Sequence, residues 1–195
     1  MKKEIIYRIF SKIPTLETER LILRPMRVSD KDDMYEYARS SEVTRYLTWE
    51  PHSTPDYTKQ YLEFIGSKYR VGDFYDWAVV FKENSKMIGT CGFARIDCRN
   101  ELGELGYVLN PDYWGKGIAK EAAEAVMAFG FDKLKLHRIE ARFMRGNDKS
   151  RRVMEKCGMT YEGMGRENLL VKNRFVDVGV CSILCSEYHN NSRRI

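Results

Sequence analysis

The sequence predicts one domain of mixed α/β (α+β) class, with a mostly antiparallel sheet of about seven strands flanked by about four helices. Three observations predict it. Periodic segments follow one another in the order β-α-α-β-β-β-α-β-α-β-β. A strand, helix, strand crossover interrupts that order at its middle. A chain of 195 residues, 43% hydrophobic and 31% charged, suits one sizeable core.

Each element has its own signal. Residues 18–27 place Leu21 and Leu23 against Arg20, Ile22 and Arg24, the alternation of a first strand. Ser29 with Asp32 resembles a capping box opening a helix over roughly 30–39. Residues 40–54 lack a period but carry Tyr46, Leu47, Trp49 and His52, and read as packing or as a substrate wall. Pro55 starts a second helix to about residue 70, with Tyr61, Leu62, Ile65 and Tyr69 at helical spacing. Runs at 75–82, 86–97 and 101–109 are bounded by turn residues and form a meander.

A helix over about 116–131 has Ile118, Ala122, Val126 and Phe129 on one stripe. Residues 137–144 alternate Ile139, Ala141 and Phe143 against Arg138, Glu140 and Arg142, a strand parallel to 101–109. Asn147 opens and Gly158 closes a helix over about 148–157. Runs at 160–171 and 175–185 make a terminal hairpin. Pro111 cannot donate to a ladder, so the parallel pair is expected to break there and splay.

The start of the crossover helix, Asn110-Pro111-Asp112-Tyr113-Trp114-Gly115-Lys116-Gly117-Ile118-Ala119-Lys120, resembles a phosphate cradle. It is not a Walker loop, because Gly117 follows Lys116 and Asn110 stands where the first glycine belongs. Nor is it a dinucleotide fingerprint, since Lys120 takes the third glycine position. Glycines that let backbone approach an anion, and first-turn N–H groups with partial positive charge, remain. The same stretch also fits a plain glycine turn capping an amphipathic helix.

Composition narrows the class further. A net charge of +5 comes from 33 basic and 28 acidic residues. The basic residues are concentrated only near Arg145 to Arg152, which argues against a nucleic-acid binder. Cys91, Cys98, Cys157, Cys181 and Cys185 show neither a C-x-x-C pair nor an even count, so no metal site is expected and the compartment reads as a reducing cytoplasm. No run suits a membrane span, and Arg8 interrupts the early apolar run of a would-be secretory signal.

Trp114-Gly115-Lys116-Gly117-Ile118-Ala119, then Asn147-x-x-Ser150 leading to Glu155-Lys156-Cys157-Gly158-Met159, resembles the GNAT acetyltransferase superfamily. Its acyl-CoA loop reads Q/R-x-x-G-x-G/A, with Trp114, Gly117 and Ala119 on that frame here. Leu16-Glu17-Thr18-Glu19-Arg20-Leu21, Glu104-Leu105-Gly106-Tyr107-Val108, Tyr161-Glu162-Gly163, Arg166 and Asp177 extend the likeness toward the RimJ/RimL-like branch, which acetylates ribosomal-protein N-termini. The resemblance implies a GNAT-like sheet and divides the chain into an extension (1–15), the acyltransferase domain (16–186) and a tail (187–195).

It also implies acetyl-CoA as co-substrate. The amides of Gly115, Lys116, Gly117, Ile118, Ala119 and Lys120 would hold the pyrophosphate. The main chain of Tyr107, Val108 and Leu109 would pair with the pantetheine arm, which Asn147 would also contact. Many relatives place a proton-donating tyrosine seven residues after that Asn. Met154 stands there and cannot donate, so Ser150 is the candidate donor to the CoA sulfur.

Direct transfer then requires a neutral amine. An α-amine (pKa about 7.7–8.0) ionises roughly 2.5 units below a lysine, about 3.4 kcal/mol, which favours a protein or peptide N-terminus. Glu104 is the first candidate base, and also reads as an exposed strand glutamate; Glu101 and His52 are lesser candidates. Glu162 reads as structural or substrate-facing, His137 as structural. Small-molecule amines (polyamine, amino acid, antibiotic) and a non-catalytic CoA-binding module are the alternatives, the protein being a monomer or homodimer.

Overall fold

The computed structural model describes residues 3–192. Residues 1 and 2 of the 1–15 segment and 193–195 of the 187–195 segment lie outside them. The elements are α1 (Lys3–Phe10), β1 (Leu16–Glu17), β2 (Leu21–Arg24), α2 (Lys31–Ala38), α3 (Ser41–Thr44), α4 (Pro55–Val71), β3 (Tyr75–Phe81), β4 (Lys86–Asp97), β5 (Leu102–Leu109), α5 (Ile118–Asp132), β6 (Arg138–Met144), α6 (Asp148–Lys156), β7 (Thr160–Val171), β8 (Arg174–Leu184) and α7 (Cys185–Ser192).

One eight-stranded sheet runs in the order β1-β2-β3-β4-β5-β6-β8-β7. Its β5–β6 pair is parallel and the other pairs are antiparallel. The mixed, mostly antiparallel GNAT-like sheet is therefore present, with one strand more than the expected seven. The extra strand is the two-residue β1, too short for periodicity to reveal. The helices α1, α3 and α7 were likewise not anticipated. α1 places Ile6 and Phe10 in the core, where Phe10 packs edge-on against Trp77 at 5.5 Å.

Local patterns hold where burial is one-sided. Leu21 and Leu23 are fully buried, as are Ile139 and Ala141. Ile118, Ala122, Val126 and Phe129 form the buried stripe of α5. Thr54 caps α4 by accepting from the Tyr57 N–H, and Gly72 ends it at φ 73°.

The capping box at Ser29 is not formed. Asp30 instead accepts from the Arg27 N–H at 2.8 Å and is gripped by both Arg24 nitrogens at 2.7 and 2.8 Å. A buried carboxylate needs such partners, and Arg24 supplies them from the neighbouring strand end.

The two sheet faces separate clearly. Trp77, Cys91 and Tyr107 are cross-strand partners and point to one side. There Trp77 meets Phe129 of α5 at 5.4 Å and Tyr107 reaches α6. Asp76, Gly92 and Gly106 are the adjacent row, and by the period of two they point to the other side, toward α2 and α4. Among the described residues, no helix is long and apolar enough to cross a membrane.

Candidate active site

The site begins where β5 and β6 part. Their parallel register runs from Leu102 opposite Arg138 to Leu105 opposite Ala141 and stops. β5 stays paired with β4 to Leu109, and β6 with β8 to Met144. Each strand follows its outer neighbour, so the pair opens. The expected break at Pro111 is corrected: pairing is lost from Gly106 onward. A bulge in β4 between Phe93 and Arg95 lies beside Leu105 and Glu104, and the added twist of a bulge accounts for a parting at that level.

Below the opening sits the glycine loop. Pro111–Tyr113 forms a 3-10 turn whose Asn110 side chain accepts from the Asp112 N–H at 3.0 Å. The Trp114 indole donates to the Leu109 carbonyl at 2.7 Å, tying the loop to the strand end. Gly115 and Gly117 take φ 75° and 77°, backbone that side-chain-bearing residues avoid. α5 starts at Ile118, two residues later than its periodicity suggested, and the amides of its first turn have no intrahelical acceptor. A Cβ on Gly115 would meet nothing within 4 Å, so open space lies in front of the loop.

A tie distant in sequence holds this loop. Arg20 donates to the Lys116 carbonyl at 2.9 Å and pairs with Glu121 at 2.7 Å. Glu121 also accepts from the Arg20 N–H at 2.8 Å and from the Thr18 hydroxyl. Thr18 and Arg20 were legible as part of the first strand and of the family likeness, without a role at the loop.

Across the opening, Asn147 caps α6 through the Ser150 N–H at 3.4 Å. The Tyr107 hydroxyl lies 2.9 Å from the Ser150 hydroxyl and 2.9 Å from its carbonyl. Burial pushes the Tyr107 pKa up, so the phenol stays protonated. This hydroxyl pair was missed in the sequence, since strand alternation says which side Tyr107 takes but not what it meets. Met154 is buried, and burial pushes the Cys157 thiol up to about 12, which argues against a nucleophile.

A cleft of about 830 Å³ joins these walls. Tyr107, Val108, Leu109, Trp114, Gly115, Gly117, Ile118, Ala119, Lys120, Asn147 and Ser150 all line it. Lys116 and Glu104 do not. Lys116 turns its ammonium over the Tyr113 ring at 5.5 Å. The wall also includes Tyr46 and Leu47, from the segment read as packing or as a substrate wall, and Arg45, Lys149, Arg152 and Lys156, to which the sequence reading gave no site role. Tyr46 donates to the Gly146 carbonyl at 3.0 Å, so the 40–54 segment supplies part of the wall. Its other half packs: His52 is buried among Trp49, Tyr57 and Tyr61 and sits 2.8 Å from the Thr58 hydroxyl, with its pKa lowered by burial.

The remaining carboxylate candidates lie on β5, before it, and on the hairpin. Glu104 is 3.6 Å from Arg95 and 3.7 Å from Arg142. Glu101 precedes β5, and its carbonyl accepts from the His137 N–H at 2.8 Å. Glu162 is gripped by both Arg138 terminal nitrogens at 2.7 Å and accepts from Ser182 at 2.6 Å, and these bonds hold its pKa down to about 2. Among the described residues no group of three or more His, Cys, Asp or Glu is placed to hold a metal ion.

The acetyltransferase (GNAT) domain family matches residues 20–160. The chain belongs to the GNAT acetyltransferase family. It is 36% identical over 174 residues, 89% of its length and 98% of the other's, to the uncharacterized N-acetyltransferase p20 of Bacillus licheniformis. A GNAT-family acetyltransferase structure from Bacillus anthracis superposes with a TM-score of 0.79 at 30% identity, covering 89% of this chain and 99% of that one.

Two further similar acetyltransferases carry named acceptors. The ribosomal-protein-S5-alanine acetyltransferase of Vibrio fischeri has a TM-score of 0.71 at 26% identity, covering 90% and 98% of the two chains. The spermidine N(1)-acetyltransferase of Vibrio cholerae is 25% identical over 89% of this chain and 98% of its own. The protein is thus a GNAT acyltransferase.

Proposed function

We propose that this enzyme transfers the acetyl group of acetyl-CoA directly to a primary amine, and that the acceptor is a protein or peptide N-terminal α-amine, as in the RimJ/RimL-like branch. The observation that carries the reading is the opened β5–β6 pair, with a glycine cradle at one wall and the Tyr107–Ser150 hydroxyl pair at the other.

The residues fit acetyl-CoA. Space before Gly115 and the free first-turn amides of α5 suit a pyrophosphate, and Lys120, Lys149, Arg152 and Lys156 add positive charge around the same cleft. The unpaired edge of β5 at Tyr107 to Leu109 offers main-chain groups to an amide-bearing arm, and Asn147 stands beside it. Bound there, acetyl-CoA supplies an activated thioester.

The chain's own residues then have distinct tasks. A β5 amide would donate to the carbonyl oxygen as negative charge develops on it. Ser150 donates a proton toward the departing sulfur, and Tyr107, hydrogen-bonded to the Ser150 hydroxyl, holds that donor in place. The loop and α6 fix the reacting centres relative to each other. The free thiols of all five cysteines support a reducing compartment, the cytoplasm.

The acceptor follows from the family likeness, from the lower ionisation demand of an α-amine, and from the ribosomal-protein relative. The spermidine relative supports a polyamine as second reading. CoA release measured with peptides bearing N-terminal Ala, Ser or Thr, beside spermidine and free amino acids, tests both. Turnover of peptides is expected; turnover of spermidine alone moves the assignment to the second reading. Millimolar acetyl-CoA is expected to raise Tm while ATP and NAD do not, and no shift would sink the cofactor assignment.

A further inference from the structure

Gly92 and Gly106 face each other across β4 and β5, at the level where β6 has left the sheet. Asp76 of β3 pairs with Gly92 in the same row. This row points away from α5 and α6, because the neighbouring row, Trp77, Cys91 and Tyr107, points toward them. Two consecutive glycines leave the sheet bare between Asp76 and the opening. A Cβ on Gly106 would meet only the Ala94 methyl, at 4.0 Å, whereas a Cβ on Gly92 would collide with the β3 backbone at the Asp76 Cα and the Tyr75 carbonyl, and would lie 2.7 Å from the Asp76 carboxylate. The glycine thus lets β3 pass close by with the carboxylate beside it. Strands about 4.8 Å apart put Gly106 about 10 Å from Asp76 along the row, a distance one bridging water and an ammonium group can span.

The surroundings of Asp76 are those of a working acid or base. Its carboxylate accepts from the Trp77 N–H at 3.0 Å, and the nearby Thr90 hydroxyl favours its charged form. Tyr37 of α2, Tyr61 and Tyr69 of α4, and Cys91 of β4 all feel its charge, and no ion pair holds it among the described residues. The Tyr37 hydroxyl is buried and has no hydrogen-bond partner in the described structure, a polar group left for a ligand or water to meet. Asp76 itself keeps some solvent contact. Glu104, by contrast, is already engaged by Arg95 and Arg142.

We infer that Asp76 is the general base, receiving the acceptor's ammonium group over the Gly92–Gly106 row and taking its proton directly or through one water. This rests on the acetyl-transfer reading above. The ammonium N–H bond breaks and its proton passes to the Asp76 carboxylate, giving a neutral amine and a carboxylic acid. The amine nitrogen then forms the C–N bond as the C–S bond breaks; the second proton shed by that nitrogen passes to solvent water, the thiolate takes one from the Ser150 hydroxyl, which water replenishes, and Asp76 returns its own proton to solvent. Burial pushes the Asp76 carboxyl up to about 7, where a group both takes and returns protons at neutral pH.

The test is kcat against pH at saturating acetyl-CoA and acceptor, for wild type, Asp76→Asn and Glu104→Gln, with the Tm rise caused by acetyl-CoA as a second readout. Wild type is expected to lose activity below an acid limb near 7. Asp76→Asn is expected to lose at least roughly 100-fold in kcat, to lose the limb, and to keep the acetyl-CoA shift. Glu104→Gln is expected to keep the limb.

Retention of kcat within about threefold of wild type in Asp76→Asn, or loss of the limb in Glu104→Gln alone, overturns the assignment. Should Asp76→Asn not fold, Asp76→Glu serves: a moved limb supports the role and an unmoved one overturns it. The two readings fail separately. A wild type that acetylates no amine overturns the proposed function and the base with it; normal turnover with an unchanged Asp76→Asn profile overturns the base alone.

Discussion

Along their length, β5 and β6 are two different structures. In the first half, Leu102 to Leu105 pair with Arg138 to Ala141, and charge locks them. Glu104 and Glu140 lie directly opposite, a like-charge pair that is unfavourable by itself. Arg95, Arg138 and Arg142 surround the buried Glu140 at 3.8, 3.3 and 3.0 Å, and Arg138 passes the link on to Glu162. In the second half the charges give way to Gly106, Tyr107 and Val108, and the β5 main chain has no β6 partner there. The lesson is a division of labour: the closed half supplies rigidity, and the open half can then be held apart without collapsing.

The open half should break most completely. Gly117→Glu places a side chain at φ 77° and a negative charge at the cradle, and should abolish the acetyl-CoA Tm shift with a loss of roughly 100-fold or more in kcat/KM. Unchanged affinity would show the loop to be uninvolved. The closed half should break next. Glu140→Ala leaves three guanidinium groups without their shared carboxylate and should cost about 2–3 kcal/mol, some 5–10 °C in Tm. A thermal scan within 1 °C of wild type would contradict the locking role.

A finer cut is Ser150→Ala, expected to lower kcat about tenfold while the acetyl-CoA shift persists. Equal losses in both would make Ser150 a binding group only.

The smallest effect concerns Glu162, whose folded pKa of about 2 lies below its unfolded value. Its stabilisation is present above the unfolded pKa and is lost as pH falls through the folded one. Because the side chain is 43% exposed, Glu162→Gln should cost only about 0.5–1 kcal/mol at pH 7, and the difference from wild type should shrink between about pH 4.5 and 2. A pH-independent difference would assign the loss to packing.

Particular residues show what could be read beforehand. The stripe Ile118, Ala122, Val126, Phe129 and the turn glycines Gly115 and Gly117 were legible because helix period and left-handed backbone are local demands. The hairpin and the parallel crossover followed from the order of segments. The 40–54 segment resisted a choice between packing and substrate wall, and the structure divides it: Tyr46 and Leu47 line the cleft while Trp49 and His52 pack. Pro111 suggested the wrong level for the break because the strand parts where β4 bulges, a feature of a different strand with no signature of its own.

By itself, then, the sequence determined the mixed sheet, the glycine turn before α5 and the Asn147–Ser150 helix start, each set by residues within a few positions of one another. Only the tertiary structure decided that Arg20 braces the glycine loop from 96 residues away and that Tyr107 meets Ser150 43 residues on. Those contacts depend on cross-strand register. A shift of one residue turns a side chain to the opposite face, so only the assembled sheet could separate Asp76 from Glu104.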